Sequence, residues 1–505
     1  MKPINTIGMV SSTPEMTFDP RLPSEERPDL IGPPSRGWQK GQMRAPWKLL
    51  VEGFGKIERA EVEVRPLMLF VGENNTGKSY LASLLWGLLA MPDTLFDEAV
   101  EKLPSWQACA DWYRERIAEA EGPEHRYTFS AEDRVLFTKL LNDALEFGKD
   151  RFAQRLFGSN TVDVGRIRVE PDLDYAYPRL CIDPAQADPE DTEPWVSIQV
   201  MGPDVTLGPG ASKSFNRESQ RNLLPFTTAL VAFSGFSAFA HPRGGGIWGR
   251  APIFLPASRT GFMLLYKAVA RRSLHEAFRP ANTSERWLDL TAPAFDFIDR
   301  IAFGLKGEKG HFSEEADLLE REIGGRVELV TTQGAVNEFR YLPDGSSSPL
   351  TMPLSSSLIT ELAPIILTLR HATGFFALIL EEPEAHLHPK LQRRLAQVIV
   401  RLIRKGLYVW ITTHSENFCQ QINNFLKIGC HPDRAALQQK LEYGDQDYLE
   451  LDDIAGYQFT SEGDKSIVSE LKKTPRGLVM PTFNRELTEL SKETLFLQRK
   501  TTEEE

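Results

Sequence analysis

Cysteine is scarce in this chain of 505 residues: Cys109, Cys181, Cys419 and Cys430 are far apart and form no C-x-x-C pair. That argues against a disulfide framework or a cysteine-ligated zinc site and fits a reducing cytoplasm. Positive charge is also short, with 58 Lys and Arg against 70 Asp and Glu and a formal net charge of −12. A chain so balanced is not a general polyanion binder, so any nucleic-acid contact has to come from a local basic patch. Long apolar runs are missing too. The uncharged stretch at residues 223–240 includes Phe226, Leu230, Val231, Phe233, Phe236 and Phe239. It also holds Pro225, Thr227, Thr228, Ser234, Gly235 and Ser237, which makes it too polar to span a bilayer; it reads as a buried or interface helix. The first residues lack a basic start followed by an apolar core, so no signal peptide is expected. Internal repeats and long heptad runs are absent, which excludes an extended coiled coil. What remains is the ordinary composition of a globular protein, long enough for roughly two to four domains.

Against these absences stands Gly72-Glu73-Asn74-Asn75-Thr76-Gly77-Lys78-Ser79, a complete G-x-x-x-x-G-K-[ST] loop. The apolar run Leu67-Met68-Leu69-Phe70-Val71 reads as a buried strand entering it, and Tyr80, Leu81, Leu84, Leu85, Leu88 and Leu89 recur at helical spacing after it. Strand, glycine loop and helix is the context in which backbone N–H groups and a helix N-terminus form an anion site for phosphates. Lys78 would neutralise the β- and γ-phosphates of ATP, and the Ser79 hydroxyl would hold Mg²⁺. The candidate nucleotide contacts are therefore Gly72 through Ser79, with Tyr80 beside them. Trp47, upstream, is either an adenine-stacking aromatic or a cap on the sheet.

The organisation follows from texture. Residues 1–44 are rich in Pro, Ser, Arg and Glu and read as a mobile extension. Residues 49–55 and 57–64 suggest a β-hairpin, so 45–91 forms a first core segment. Residues 92–250 read as an insertion, first helical, with a capping box at Ser130-Ala131-Glu132-Asp133, then strand and turn, where Val196, Ile198 and Val200 alternate with polar neighbours. Gly244-Gly245-Gly246 is a flexible loop. Residues 251–430 return to the core, with a strand at Ile253-Phe254-Leu255, mostly helix over 262–323, and a turn at Pro343-Asp344-Gly345. Residues 431–505 form a C-terminal segment, in which 454–459 and a helix over 483–497 are expected to make a small terminal layer against the core.

A second constellation lies far downstream. Phe375-Phe376-Ala377-Leu378-Ile379-Leu380 is a buried strand that ends in Glu381-Glu382-Pro383. Such a strand end offers one carboxylate to Mg²⁺, here Glu381, and a second, Glu382, to orient or deprotonate an attacking water. The strand Leu407-Tyr408-Val409-Trp410-Ile411 runs into Thr412-Thr413-His414-Ser415, where His414 is placed to sense the γ-phosphate. His386 and His388 invite a metal reading, but no cysteine or further histidine lies nearby to complete a tetrahedral set. Arg393, Arg394, Arg401, Arg404 and Lys405 follow on one helix and read either as a solvated face or as a nucleic-acid contact.

These residues carry a resemblance. The chain resembles ABC-type ATPases of the kind that includes RecF, the structural-maintenance-of-chromosomes heads and the OLD (overcoming lysogenization defect) proteins. It does so in the run Glu381-Glu382-Pro383-Glu384-Ala385-His386-Leu387-His388-Pro389, in Leu255-Pro256-Ala257-Ser258-Arg259-Thr260-Gly261, and in residues 354–364, which take the place of the signature loop. The resemblance implies an α/β P-loop NTPase of ABC-ATPase type. It would have a mixed, largely parallel β-sheet flanked by helices, and a helical and β insertion between the Walker A loop and the signature loop. It implies ATP and Mg²⁺ as cofactors and a homo-oligomer built from dimers. In such a dimer Ser356 or Ser357 of one subunit would touch the γ-phosphate bound by the other. His386 and His388 would be interface and structural residues. Two departures stand out: Leu358 where a glycine is expected after the serines, which implies slow turnover, and Glu381 where most ABC enzymes have Asp, although OLD-like members share it. No glutamine-loop residue is identified.

OLD nucleases carry a Toprim domain after the histidine strand, and residues 415–505 are too few for one, so a stand-alone cytoplasmic ATPase is expected. Similar ATPases in the Septu and PARIS anti-phage systems work beside a separately encoded effector, which makes a nuclease or toxin the expected partner. A DNA-repair or chromosome-maintenance ATPase and a nucleotide-binding scaffold with little hydrolysis are the other readings. The loop assignment makes one immediate prediction: Lys78→Ala abolishes ATP binding in an equilibrium titration with a fluorescent nucleotide. Wild-type affinity in that variant would remove the assignment.

Overall fold

A computed structural model describes residues 47–119, 125–159, 161–171, 179–182, 195–201, 204–210, 217–233, 252–277, 290–306, 310–331, 336–373, 375–481 and 488–497. The proposed N-terminal extension and the triple-glycine loop lie outside the described residues.

The chain opens with the expected hairpin. Strands β1 (Lys48–Phe54) and β2 (Ile57–Glu63) pair antiparallel with Val51 opposite Ala60. Leu49, Val51 and Phe54 are buried while Lys48 and Glu52 face solvent, the alternation of a half-buried ribbon. Strand β3 (Leu67–Gly72) shows no alternation, because both of its faces are covered. Met68 and Phe70 join one apolar cluster together with Trp47 and helix α1 (Lys78–Ala90). Leu67, Leu69 and Val71 join a second cluster on the opposite face. Trp47 is fully buried, edge-on to Phe233 at 4.9 Å, and so packs as a cap on the sheet.

The remaining strands of the main sheet are β4 (Val164–Glu170), β5 (Ile253–Leu255), β6 (Ala377–Glu381), β7 (Tyr408–Thr413), β8 (Ile454–Glu462) and β9 (Lys465–Glu470). In the nine-stranded sheet the order is β4-β1-β2-β9-β8-β3-β7-β6-β5. The five strands from β8 to β5 run parallel, and the other end of the sheet is mainly antiparallel. The fold is therefore mixed α/β, with the largely parallel sheet that the sequence implied.

Two parts of the sheet differ from expectation. Strand β4 lies within the segment read as an insertion, yet it pairs with β1, Ile167 opposite Val51, and forms a sheet edge. The same segment otherwise forms helix Pro104–Glu119, helix α2 (Ala131–Phe157) and a separate four-stranded sheet. The capping box of α2 is present: Asp133 N–H donates to Ser130 Oγ at 3.1 Å, and Ser130 N–H donates to Asp133 Oδ2 at 2.7 Å. The second difference is larger. Residues 454–459, expected in a peripheral layer, belong to β8, which pairs in parallel with β3 at the centre of the sheet. Residues 488–497 are helical but exposed throughout, so they do not pack as a layer on the core; 483–487 lie outside the described residues. A chain that returns to β3 after about 380 residues leaves no local sign of doing so.

Helices α3 (Arg259–Ala277), α4 (Ser357–His371), α5 (Pro389–Arg404) and α6 (Glu416–Cys430) bury their apolar faces in the second cluster. The basic residues of α5 and its C-cap are tied to named partners, with Arg393 still exposed. Arg393 donates to Gln421 at 3.1 Å and Arg394 to Glu322 at 3.0 Å. Arg401 pairs with the buried Asp447 at 2.6 Å, Arg404 with Asp453 at 3.3 Å, and Lys405 with Glu314 at 2.8 Å. The helix over Arg217–Ala232 places Leu224, Val231 and Ala232 in the core. Among the described residues no helix is long and apolar enough to cross a membrane.

Gly72 shows how closely β8 sits against the loop strand. Its φ of +144° favours glycine, and an added Cβ would lie 2.4 Å from the Phe459 carbonyl oxygen of β8. Gly72→Ala should destabilise the nucleotide-free protein by about 2–4 kcal/mol, read from the chemical denaturation midpoint. An unchanged midpoint would contradict this strand order.

Candidate nucleotide site

Parallel register assembles the site. Val71 pairs with Thr413, and Thr412 pairs with Glu381, so β3, β7 and β6 end at one edge of the sheet. The open crevice beyond the C-terminal ends of parallel strands is where ligands bind in α/β folds. There the loop 72–79, the pair Glu381–Glu382 and His414 meet.

The loop is preformed by its own side chains. Thr76 Oγ1 donates to the Glu73 carbonyl at 2.8 Å, and Lys78 Nζ donates to the carbonyls of Gly72 at 3.0 Å and Glu73 at 2.6 Å. Gly77 has a φ of +95° with Ile57 Cγ1 2.9 Å from where a Cβ would be, so the turn into α1 needs glycine there. Glu73, Asn74, Asn75 and Ser79 are exposed at the mouth, whereas Lys78 is buried. Burial pushes the Lys78 ammonium below the ordinary lysine range, opposed by the charges of Glu382, Glu384 and Glu381. Tyr80 differs from its neighbours: its ring packs against Phe157 at 5.1 Å and Phe54 at 6.3 Å, which leaves its backbone, and not its ring, for a ligand.

The two carboxylates sit in different surroundings. Glu381 is buried, accepts a hydrogen bond from Ala257 N–H at 3.3 Å, lies beside the Ser79 hydroxyl, and is pushed above the usual carboxylate range by desolvation. Its Oε1 is buried with no hydrogen-bond partner. A buried, unsatisfied carboxylate oxygen beside the Ser79 hydroxyl is the donor set a hard divalent cation such as Mg²⁺ takes, so Ser79 and Glu381 fit the metal role. Glu382 is half-exposed, and its Oε1 lies 3.7 Å from His414 Nδ1. Its φ of +43° is unusual for a side-chain-bearing residue, as are +62° at Asn75 and +58° at His386. Backbone of this kind tends to gather at functional sites. The Glu382 N–H donates to the Thr412 carbonyl at 2.8 Å, which fixes that peptide against β7.

Two residues to which sequence reading gave no role hold this arrangement. Glu384 is buried, and its Oε1 accepts from Thr413 Oγ1 at 2.6 Å, His414 N–H at 3.0 Å and Ser415 N–H at 3.1 Å. It thereby anchors the turn that presents His414. Arg259 is wholly buried at the start of α3. Its Nη1 donates to the Glu381 carbonyl at 2.6 Å and its Nη2 to the Glu382 carbonyl at 3.0 Å. Both residues lie inside runs quoted for the resemblance. The signal was present, but nothing local says what they bond.

Ser356 and Ser357 stand apart. They are exposed at the N-terminus of α4, Ser356 as its N-cap, and among the described residues neither side chain is bonded to the loop. Leu358 packs half-buried against the second apolar cluster. His388 caps α5, its Nδ1 accepting from Lys390 N–H at 3.3 Å. Among the described residues no group of three potential ligands surrounds it or His386. Removing the anchor tests the architecture: Glu384→Ala leaves three donors without their acceptor and should cost about 2–4 kcal/mol of stability in chemical denaturation. A loss well under about 1 kcal/mol would mean that Glu384 is dispensable to the His414 turn.

Comparison with known proteins reaches part of the chain. Residues 253–419 match the family model described as "AAA domain, putative AbiEii toxin, Type IV TA system". The match includes Ser356, Glu381, Glu382 and His414, and the loop 72–79 lies outside it. No curated protein matches. Similar solved structures include an SMC head bound to the C-winged helix domain of ScpA, 14% identical, covering 85% of this chain and 98% of that one, with a TM-score of 0.33. The SMC head domain from Thermotoga maritima is 11% identical over 85% and 100%, TM-score 0.30. The Smc head domain with an extended coiled coil bound to the C-terminal domain of ScpA, from Pyrococcus furiosus, is 13% identical over 89% and 99%, TM-score 0.31. The matched AAA domain together with the loop and strand-end geometry supports a P-loop nucleotide site.

Proposed function

We propose that this protein binds and hydrolyses ATP within dimers, or multiples of dimers, that enclose the nucleotide. We further propose that it is the sensor or scaffold subunit of a prokaryotic anti-phage defence system, acting in the cytoplasm on a separate nuclease or toxin. The observation that carries the ATPase reading is the meeting of residues 72–79, Glu381, Glu382 and His414 at the ends of three adjacent parallel strands. The defence role is supported by the E-E-P-E-x-H-L-H-P run and by a matched family whose description names a toxin.

When bound, ATP with Mg²⁺ supplies the phosphoanhydride to be cleaved and the positive charge that offsets its oxygens. The amides of the loop and of the first turn of α1 bind phosphate, and Lys78 adds charge already desolvated. Ser79 and Glu381 hold the metal side. Glu382 orients and deprotonates water, and its proximity to His414 lets the imidazole report on the same position. Ser356 and Ser357 are exposed as a second copy's site would require. Leu358 favours one other reading, a nucleotide-gated scaffold of slow turnover, because a side chain there keeps the α4 backbone farther from a phosphate than glycine would.

Glu382→Gln separates the two. It should keep ATP affinity, lower phosphate release by about 100-fold or more, and accumulate an ATP-dependent dimer detectable by light scattering. Equal, poor hydrolysis by variant and wild type would leave the scaffold reading and end the enzymatic one.

A further inference from the structure

We propose that Arg259 is a positioning residue that couples the strand end bearing Glu381 and Glu382 to the signature helix α4, so that the state of one nucleotide site reaches the serines that serve another. The inference rests on the nucleotide-site reading above and adds to it a route of regulation.

Arg259 spends its whole guanidinium on three separate chain segments. Nη1 donates to the carbonyls of Pro256 at 3.1 Å and Glu381 at 2.6 Å, and Nη2 donates to that of Glu382 at 3.0 Å. Nε donates to the Glu361 carbonyl of α4 at 3.3 Å, and Nη2 lies 2.6 Å from Glu361 Oε1. Glu361 is as buried as Arg259, and its Oε2 accepts from Thr260 N–H at 3.1 Å and Thr260 Oγ1 at 2.8 Å. The link continues to the tip of α4. Thr360 Oγ1 lies 3.1 Å from Thr260 Oγ1 and bonds the Ser357 carbonyl at 3.1 Å.

A buried ion pair of this kind is a poor way to gain stability, since apolar packing of similar volume does as well or better. What it does supply is rigidity between groups that are far apart in sequence. The carbonyl of Glu382 belongs to a residue held at positive φ, so a change at that peptide shifts an oxygen that Arg259 must keep. A buried guanidinium cannot lose one acceptor without cost, so it follows the oxygen and draws Glu361 and the first turn of α4 with it. Coupling through one element with several fixed partners is reciprocal: placement of Ser356 and Ser357 then biases the Glu382 peptide in return.

Hydrogen–deuterium exchange on the full chain, with and without Mg²⁺ and a non-hydrolysable ATP analogue, tests this without requiring turnover. In the wild type the analogue should slow exchange in residues 72–80 and change it in residues 354–362. Arg259→Lys, which keeps the charge and loses the planar fork, should retain the response at 72–80 and reduce that at 354–362 by about fivefold or more. Glu361→Gln should do the same from the other end, and decides the matter if the lysine variant folds poorly. A full 354–362 response in these variants overturns the coupling, as does a silent 354–362 in the wild type. Equal loss at both segments overturns it too, because that marks a merely structural role. No slowing at 72–80 in the wild type would instead overturn the nucleotide site itself.

Discussion

The site depends on one constraint, the register between three parallel strands. With Val71 opposite Thr413 and Thr412 opposite Glu381, the loops that follow β3, β6 and β7 emerge side by side. A slip of one residue would turn every side chain to the other face, and both faces are already filled by separate apolar clusters. That double burial is why these strands are unbroken apolar runs, and why their first polar residues fall at the ends, where the sheet stops being covered.

The charges at that edge are held mainly by backbone. Lys78 rests on two loop carbonyls, Glu384 takes two amides and a hydroxyl at the His414 turn, and Arg259 takes four carbonyls besides its contact with the Glu361 carboxylate. Desolvation works against Lys78 and Glu381 from opposite sides, lowering one and raising the other. Groups fixed in this way need little rearrangement to meet developing charge, which is the physical meaning of preorganisation. The positive φ values at Asn75, Glu382 and His386 are the local strain that comes with it.

Much of this was legible in the chain. The loop, the acid-tipped strand, the histidine strand and the hairpin each announce themselves within about ten residues, because each needs only local periodicity and a few special residue types. The α2 capping box was legible for the same reason. The peripheral layer expected at residues 454–459 was wrong because a buried parallel strand reads alike wherever it is inserted, and nothing in it names its neighbour. The basic run on α5 was ambiguous because charge pattern does not show partners, and Asp447 and Asp453 lie more than forty residues away.

The sequence by itself determined what depends on consecutive backbone: a phosphate-binding loop poised between strand and helix, and carboxylates set at the end of a covered strand. Only the tertiary structure decided which ends meet and what holds them there. Arg259 and Glu381 are 122 positions apart, and Tyr457 and Glu63 are 394 apart, yet each pair is joined by a hydrogen bond. A buried donor must find an acceptor somewhere, but which one it finds is set by the packing of covered faces and not by any spacing along the chain.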